Sequence, residues 1–458
     1  MSRLFAVSNR VADPVGGKAA GGLAVGLLAA LKQYGGVWFG WGGKIRQGDP
    51  SDPTIVRRGN ISYATIDLFE SDYDDYYNGY SNACLWPLCH YMLGFFRYER
   101  RFSEAYRKVN ALFARKMLRL LEDDDFIWVH DYHLIPLAAE LRRAGVTNPI
   151  GFFMHVPFPN IDVLRTLPDH LDILRALTCY DVIGFQTHND VRSFTEGLAR
   201  EGLLQARLDD GRFRADGREI TVRAFPIGID VDGVIRMASR SVRSATVSRT
   251  IEGLQGRGFI VGVDRLDYSK GLPERFRAFE QLLARYPETR NRLVFMQIAP
   301  PTRTGVRAYQ DIRRELEQMA GHINGHYAEP DWVPIRYLNR GFSRSILMGL
   351  LRAANIGLVT PLRDGMNLVA KEFVAAQDPD NPGALVLSSL AGAAAELEEA
   401  VIVNPYDSEG MAEAIQQAAN MPLDERRERH ASMIDTLRRH DIDAWRTQFV
   451  DALQQSRG

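Results

Sequence analysis

The sequence predicts an α/β protein of two doubly wound domains facing each other, with a ligand cleft between them at the carboxyl ends of the strands. Three observations carry that reading. Short apolar runs rich in β-branched residues recur along the chain, each followed by a longer amphipathic stretch, the alternation that makes parallel sheets joined by crossover helices. Several runs, such as Ile150–Met154, are apolar throughout, which suits strands covered on both faces. The chain has 458 residues, more than one core holds, since domains run about 100–200 residues.

In the first half the strand-like runs are Leu4–Val7, Val37–Trp41, Ile61–Ile66, Phe126–His130, Ile150–His155, Val182–Gln186 and Ile220–Ile227. In the second half they are Phe259–Val263, Leu293–Ile298, Ile335–Leu338, Ile356–Thr360, Ala384–Leu387 and Val401–Val403. Apolar residues at three- and four-residue intervals predict helices over Tyr106–Leu121, Leu272–Arg285, Thr304–Met319 and Gly410–Ala419. The last segment, Asp441–Gln455, reads as a helix with Trp445, Phe449 and Leu453 spaced by four. A boundary falls near residues 231–257. There a strand ending in Phe225–Asp230 gives way to a polar, Ser/Arg-rich helix-like stretch, Ser239–Arg257, before Phe259 opens a second α/β series.

Charge and cysteine usage narrow the function classes. With 56 Lys and Arg against 57 Asp and Glu the formal charge is −1, and 45% hydrophobic with 25% charged residues is the balance of a globular chain. Such even charge argues against unspecific nucleic-acid or anionic-membrane binding, which needs a positive surplus. Cys84, Cys89 and Cys179 form no complete disulfide set and no CxxC pair, so a reducing compartment is expected. No signal-peptide pattern opens the chain and no window approaches about 20 apolar residues. A cytoplasmic protein without nucleic-acid or membrane partners is the expectation.

Five stretches carry candidate chemistry. Ser8-Asn9-Arg10 leaves the first strand, and Gly16–Leu23 then opens a helix, with Gly21 and Gly22 able to bring backbone N–H groups close to an anion. The spacing is neither G-x-G-x-x-G nor a P-loop. Trp128–His133 places Asp131 where a strand ends, suited to holding substrate hydroxyls. A metal on His130, His133 and His155 is disfavoured, because adjacent strand residues point to opposite faces. Asp123-Asp124-Asp125 precedes that strand and reads as a solvated acidic turn. His155, followed by Pro157 and Pro159, sits at the exit of a buried strand in a stiffened loop.

The fourth stretch, Val263–Glu274, ends a strand in Arg265, places Lys270 five residues on and starts a helix at Gly-Leu-Pro-Glu. Two cations and a helix N-terminus make a clamp for a diphosphate. Arg303, after the strand Leu293–Ile298, is a further candidate anion contact. The fifth, Thr360–Glu372, runs from strand to Gly-containing turn to helix. Backbone N–H groups there suit phosphate or sugar, Asp364 suits sugar hydroxyls, and Glu372, about two turns into the helix, suits paired ribose hydroxyls. The aromatic stretch Asp74–Asn78 and Leu85-Trp86-Pro87 reads as core or as a sugar platform.

Taken together, S-N-R, A-G-G-L, W-F-G-W, Y-Y-N, L-W-P, W-V-H-D-Y-H, G-F-F-x-H-x-P-F-P, R-L-D-Y-S-K-G-L, T-P-L-R-D-G-M-N-L-V-A-K-E and I-V-N-P-Y-D resemble, in order, the trehalose-6-phosphate synthases. The resemblance runs from about residue 2 to about residue 455. It implies a retaining, metal-independent GT-B glycosyltransferase with no cofactor, moving glucose from a nucleotide-glucose to glucose 6-phosphate. UDP-glucose is the expected donor, although the residues do not themselves distinguish UDP from GDP or ADP.

By matching positions, the resemblance places Arg10, Tyr77, Trp86, Asp131 and Arg303 on glucose 6-phosphate. It places Gly21, Gly22, His155, Arg265, Lys270, Phe342, Asp364, Gly365, Met366, Asn367, Leu368, Val369 and Glu372 on the donor, with Phe342 at the base and His155 beside the transferred sugar. Asp131, His155, Arg265, Lys270 and Asp364 are then the catalytic group. The implied domains are 1–232, completed by a crossover helix at 441–458, and 233–440, with acceptor and donor sides respectively. A homodimer or homotetramer is implied as well. No carboxylate stands where a covalent nucleophile would, so retention is expected by front-face attack.

Overall fold

The computed structural model describes residues 3–11, 22–47, 52–303 and 306–456. The chain divides into two compact units, Met1–Ile227 with Ile442–Gly458, and Gly228–Asp441. No helix of the described residues is long and apolar enough to cross a membrane.

The first unit is built on β1 (Leu4–Arg10), β2 (Gly36–Arg46), β3 (Thr54–Arg58), β4 (Ile61–Phe69), β5 (Phe126–His130), β6 (Ile150–Phe153), β7 (Val182–Phe185), β8 (Leu204–Arg207), β9 (Arg212–Ala215) and β10 (Arg218–Ala224). They form one sheet in the order β3-β4-β2-β1-β5-β6-β7-β10-β9-β8. The strands from β4 to β10 in that order pair in parallel, while β3 at one edge and β9–β8 at the other are antiparallel. Strands β5, β6 and β7 are buried at every position, as their apolar runs require. The order reverses between β1 and β5, and Arg10 and Asp131 stand at the carboxyl ends of these two strands.

The terminal helix Ile442–Gln455 belongs to this unit and lies against the middle of its sheet. Phe449 stacks on Trp128 of β5, with centroids 4.7 Å apart and planes at 12°. Room for that ring comes from two missing side chains: a Cβ at Gly151 of β6 or Gly184 of β7 would lie 2.7 Å from Phe449. The glycine in each of these apolar strands is therefore a packing requirement.

The second unit holds β11 (Gly258–Val263), β12 (Leu293–Ile298), β13 (Ile335–Leu338), β14 (Ile356–Val359), β15 (Ala384–Ser388) and β16 (Val401–Val403), all parallel, in the order β13-β12-β11-β14-β15-β16. Counted within the unit this is 3-2-1-4-5-6, the doubly wound order whose ligands bind where the direction reverses, here between β11 and β14. Beneath that point lies Arg275, fully buried on the helix Leu272–Arg285. It donates to Asp264 (2.8 Å), Gln297 (2.8 Å) and Thr360 (3.0 Å), tying together the carboxyl ends of β11, β12 and β14.

The structure departs from the sequence expectations in several places. Strands β3, β8 and β9 were not foreseen: they are short, polar hairpin strands at the sheet edges, largely open to solvent, and carry no apolar run. The stretch Ser239–Arg257 is not one helix but the parts of two, Val231–Ser241 and Ala245–Glu252. The helix expected over Thr304–Met319 runs from Arg307 to Tyr327, and that over Tyr106–Leu121 runs from Arg100 to Met117. The acidic turn is solvated only in part. Asp125 is buried, accepting from Arg3 at 2.7 Å and from the Glu122 N–H at 2.9 Å. The largest surprise is Tyr73–Leu85, which forms a π-helix of 13 residues.

Candidate active site

In the first unit the site grows from the ends of β1, β5 and β6. Arg10, the exposed last residue of β1, lies over the Trp41 ring at 5.3 Å. Its neighbours in the S-N-R motif are structural: Ser8 accepts from Trp38 Nε1 (2.8 Å) and Asn9 from the Tyr76 hydroxyl (2.8 Å). That second bond pins the π-helix, a form that recurs at functional sites. Tyr76 faces the core, and its neighbour Tyr77 lies between Tyr73 (5.3 Å, 20°) and His133 (5.7 Å, 11°) in a stack of three rings.

The turn after β5 gathers the remaining residues. Tyr132 packs on Trp86 at 5.8 Å, His133 on Tyr77, and Asp131 precedes both. Asp131 has φ 74° and ψ 163°, a region that essentially only glycine occupies without strain, of order 1–3 kcal/mol. The carboxylate is held in that pose by the backbone N–H of His155, which donates to Asp131 Oδ1 at 3.1 Å. His155 in turn has its Nε2 3.1 Å from Nδ1 of His130. Burial pushes both imidazoles down, His155 to about 3, and His155 pushes His130 down further, so both are neutral at pH 7. The three histidines therefore do not converge: two share a hydrogen bond and the third stacks on Tyr77. Among the described residues the only cluster with metal-ligating geometry is Glu122, Asp124 and Asp125, and Arg3 already pairs with two of these.

Gly22 begins the helix Gly22–Tyr34 after β1; Gly21 and the Gly-rich loop before it lie outside the described residues.

In the second unit the site stands at the reversal between β11 and β14. Strand β11 ends at Val263, so Arg265 lies in the following loop, exposed, rather than on the strand itself. Lys270 closes a 3-10 turn, and Gly271 follows with φ 65°, where a Cβ would lie 2.4 Å from the Thr360 carbonyl. Only glycine lets these loops meet so closely. Lys270, 8% exposed, pairs with Asp364 at 2.5 Å. Asp364 also accepts from the Gly365 N–H and the Asn367 side chain, both at 3.0 Å. Gly365 and Met366 are buried, and Asn367, at φ 71°, caps the helix Leu368–Ala376. The early N–H groups of that helix, at Leu368 and Val369, have no partner one turn back within it.

Glu372 is one turn into this helix rather than two, and its carboxylate accepts from Arg344 at 3.0 Å. Burial raises its pKa and Arg344 opposes the shift. Two residues before Arg344 is Phe342, half-buried, with the Arg340 guanidinium 4.9 Å over its ring. Arg303, at φ 48°, belongs to this unit. Its guanidinium contacts Asp267 (3.4 Å) and the Tyr309 hydroxyl. Burial alone would raise the Asp267 carboxyl, but Arg303, Arg265 and Lys270 together hold it below the ordinary range.

Sequence reasoning missed Asp267, Arg275 and the ring stack on Tyr77. Arg275 had left a signal, a charged residue three after Leu272 and one before Phe276 on the apolar side of its helix.

A family model, Glycosyltransferase family 20, matches residues 14–455. The chain belongs to that family. It is 50% identical over 458 residues to a trehalose-6-phosphate synthase of Klebsiella pneumoniae, covering 99% of this chain and 95% of that one. Among solved structures it resembles a UDP-forming α,α-trehalose-phosphate synthase from Burkholderia xenovorans in complex with glucose-6-phosphate. The TM-score is 0.96 at 51% identity, over 99% of this chain and 100% of that one. It resembles an E. coli chain bound with UDP-2-fluoro glucose with a TM-score of 0.94 at 48% identity, over 99% of each. The two doubly wound units of this family 20 chain are those of the GT-B fold.

Proposed function

We infer that the chain is a retaining glycosyltransferase that moves glucose from UDP-glucose to glucose 6-phosphate, giving α,α-trehalose 6-phosphate and UDP. One observation carries this: about half of its residues are identical, over nearly the whole length, to those of synthases with that activity in their name. The first unit is the acceptor side, where Arg10, Tyr77, Trp86 and Asp131 meet glucose 6-phosphate together with Arg303. The second is the donor side, where Arg265 and Lys270 take the diphosphate with Gly21 and Gly22 of the first unit. Asp364 through Val369 and His155 take the glucose, Glu372 the ribose and Phe342 the base. The placement of Lys270 and Asp364 at the β11/β14 reversal supports this assignment.

The chemistry follows from those roles. The bond from glucose C1 to the diphosphate oxygen breaks while the acceptor's anomeric hydroxyl bonds to C1 on the same face. That hydroxyl's proton passes to the departing phosphate oxygen. Arg265 and Lys270 stabilise the charge on the leaving group, a contribution of about 3–4 kcal/mol for a well-placed donor. Neutral His155 places no positive charge beside the sugar as it gains oxocarbenium character.

The deciding experiment measures nucleotide release from UDP-, GDP- and ADP-glucose with and without glucose 6-phosphate, in EDTA, with the product identified by mass and anomeric NMR. UDP release that requires glucose 6-phosphate and yields the α,α-1,1 disaccharide phosphate is expected. Release indifferent to glucose 6-phosphate sinks the acceptor assignment, and a glucosyl-enzyme adduct found by mass spectrometry sinks front-face transfer. We also propose a cytoplasmic homodimer or homotetramer, which elution at the mass of one chain would contradict.

A further inference from the structure

His130 ends β5 fully buried, and the family's substrate assignments give it no role. Its Nδ1 faces Nε2 of His155 at 3.1 Å, so one of the two nitrogens carries the shared proton and the other accepts it. The rest of its surroundings decide which. The ring is walled by Trp128 (4.6 Å between centroids), by Phe153 (6.4 Å) and by Trp445 of the terminal helix (6.4 Å). The only polar side-chain atoms these walls bring are two indole N–H groups, and both are buried without an acceptor. His130 Nε2 is buried as well, likewise without a partner. A proton on Nε2 would be one more buried N–H without a partner. A bare Nε2 leaves only a lone pair unpaired instead. Orphaned buried N–H groups are rarer than under-satisfied acceptors.

We propose that His130 is a positioning residue: it keeps its proton on Nδ1, donates it to Nε2 of His155, and so fixes the proton of His155 on Nδ1. His155 then offers its ligand a hydrogen-bond donor and never an acceptor. Both rings stay uncharged in this arrangement, since each neutral imidazole has one N–H and one lone pair. This rests on the reading that His155 lies beside the transferred sugar, where a hydroxyl oxygen is what the donor meets.

Two measurements test it. Neutron diffraction, or histidine 15N–1H correlation spectra of the full chain, reads the tautomers directly in the unmodified protein. Protons on Nδ1 of both rings are expected, and a proton on Nε2 of His155 overturns the proposal. The second compares His130→Asn, which keeps a donor near the Nδ1 position, with His130→Phe, which keeps the ring and loses it. His130→Asn is expected to hold kcat within about threefold, and His130→Phe to lose about tenfold or more in kcat with the KM for glucose 6-phosphate unchanged. Wild-type kcat in His130→Phe overturns the positioning role. If His155→Ala also keeps full kcat, the fault lies in placing His155 at the sugar; if His155→Ala is impaired, that placement stands.

Discussion

Lys270 Nζ and Asp364 Oδ2 stand 2.5 Å apart across 94 residues of sequence, and their contact joins the loop after β11 to the loop after β14. An anion that reaches Lys270 must therefore share it with Asp364, while a sugar hydroxyl that reaches Asp364 finds a carboxylate already oriented by two further donors.

Removing either partner separates these functions. Lys270→Ala is expected to lower kcat/KM for the nucleotide-glucose by about 10²–10³, the usual cost of one preorganised donor to developing charge. Asp364→Asn leaves the lysine unshared, so UDP affinity is maintained or rises while kcat falls. Steady-state kinetics with calorimetric titration of UDP reads both. A tenfold loss of UDP affinity in Asp364→Asn contradicts this account.

The backbone at Asp131 reverses a familiar order of substitutions. Glycine is usually worse than alanine, but at φ 74° and ψ 163° alanine inherits the strain and glycine does not. Both variants lose the carboxylate, and on the proposed acceptor role both are expected to lose transferase activity. Asp131→Gly is expected to be more stable than Asp131→Ala by about 1–2 kcal/mol, read from urea unfolding. Equal midpoints refute the strain.

Arg275 is a fully buried cation whose guanidinium donates to Asp264, Gln297 and Thr360. Replacing it by leucine leaves Asp264 buried without its partner, a cost of about 3–5 kcal/mol. The second unit is expected to melt first in Arg275→Leu. Differential scanning calorimetry tests this, and an unchanged melting profile counts against it.

Acid should weaken the fold before it protonates the carboxylates. Burial lowers the pKa of His130 and His155, and of His430, buried on the helix Leu423–Arg439, in the folded chain. Between those values and about 6.5 the unfolded chain binds protons that the folded chain refuses, so stability falls as pH drops below about 6.5. Each such histidine contributes a slope of at most about 1.4 kcal/mol per pH unit. Asp267, held below the ordinary range, adds its loss only below about pH 4. Urea midpoints at pH 7.5, 6 and 5 should decline in the wild type and decline less in His130→Asn. A flat series rules this out.

Much of the fold was legible because its strands are buried on both faces and say so in unbroken apolar runs. Phe126–His130, Leu293–Ile298 and Ile335–Leu338 were bounded to the residue. The edge strands β3, β8 and β9 were silent, because a strand with solvent around it needs no apolar pattern. The π-helix Tyr73–Leu85 was illegible for another reason. Its wider turn breaks the 3.6-residue period by which helices are recognised, and it holds its shape through tertiary bonds such as that from Tyr76 to Asn9. Lys270 and Asp364 could each be named as candidates from strand–turn–helix patterns, but their pairing depends on strand order, which sequence spacing does not encode.

The segment Ile442–Gln455 gives the first unit a delayed completion. Its sheet is translated by residue 227, yet the ring that fills the groove over Gly151 and Gly184 belongs to Phe449. The whole second unit is synthesised in between. At about 5–20 residues per second the ribosome takes roughly 10–40 s to reach that helix. Through that interval the nascent chain carries a sheet with an uncovered apolar furrow, and by the time Phe449 is added every strand of the second unit has been made.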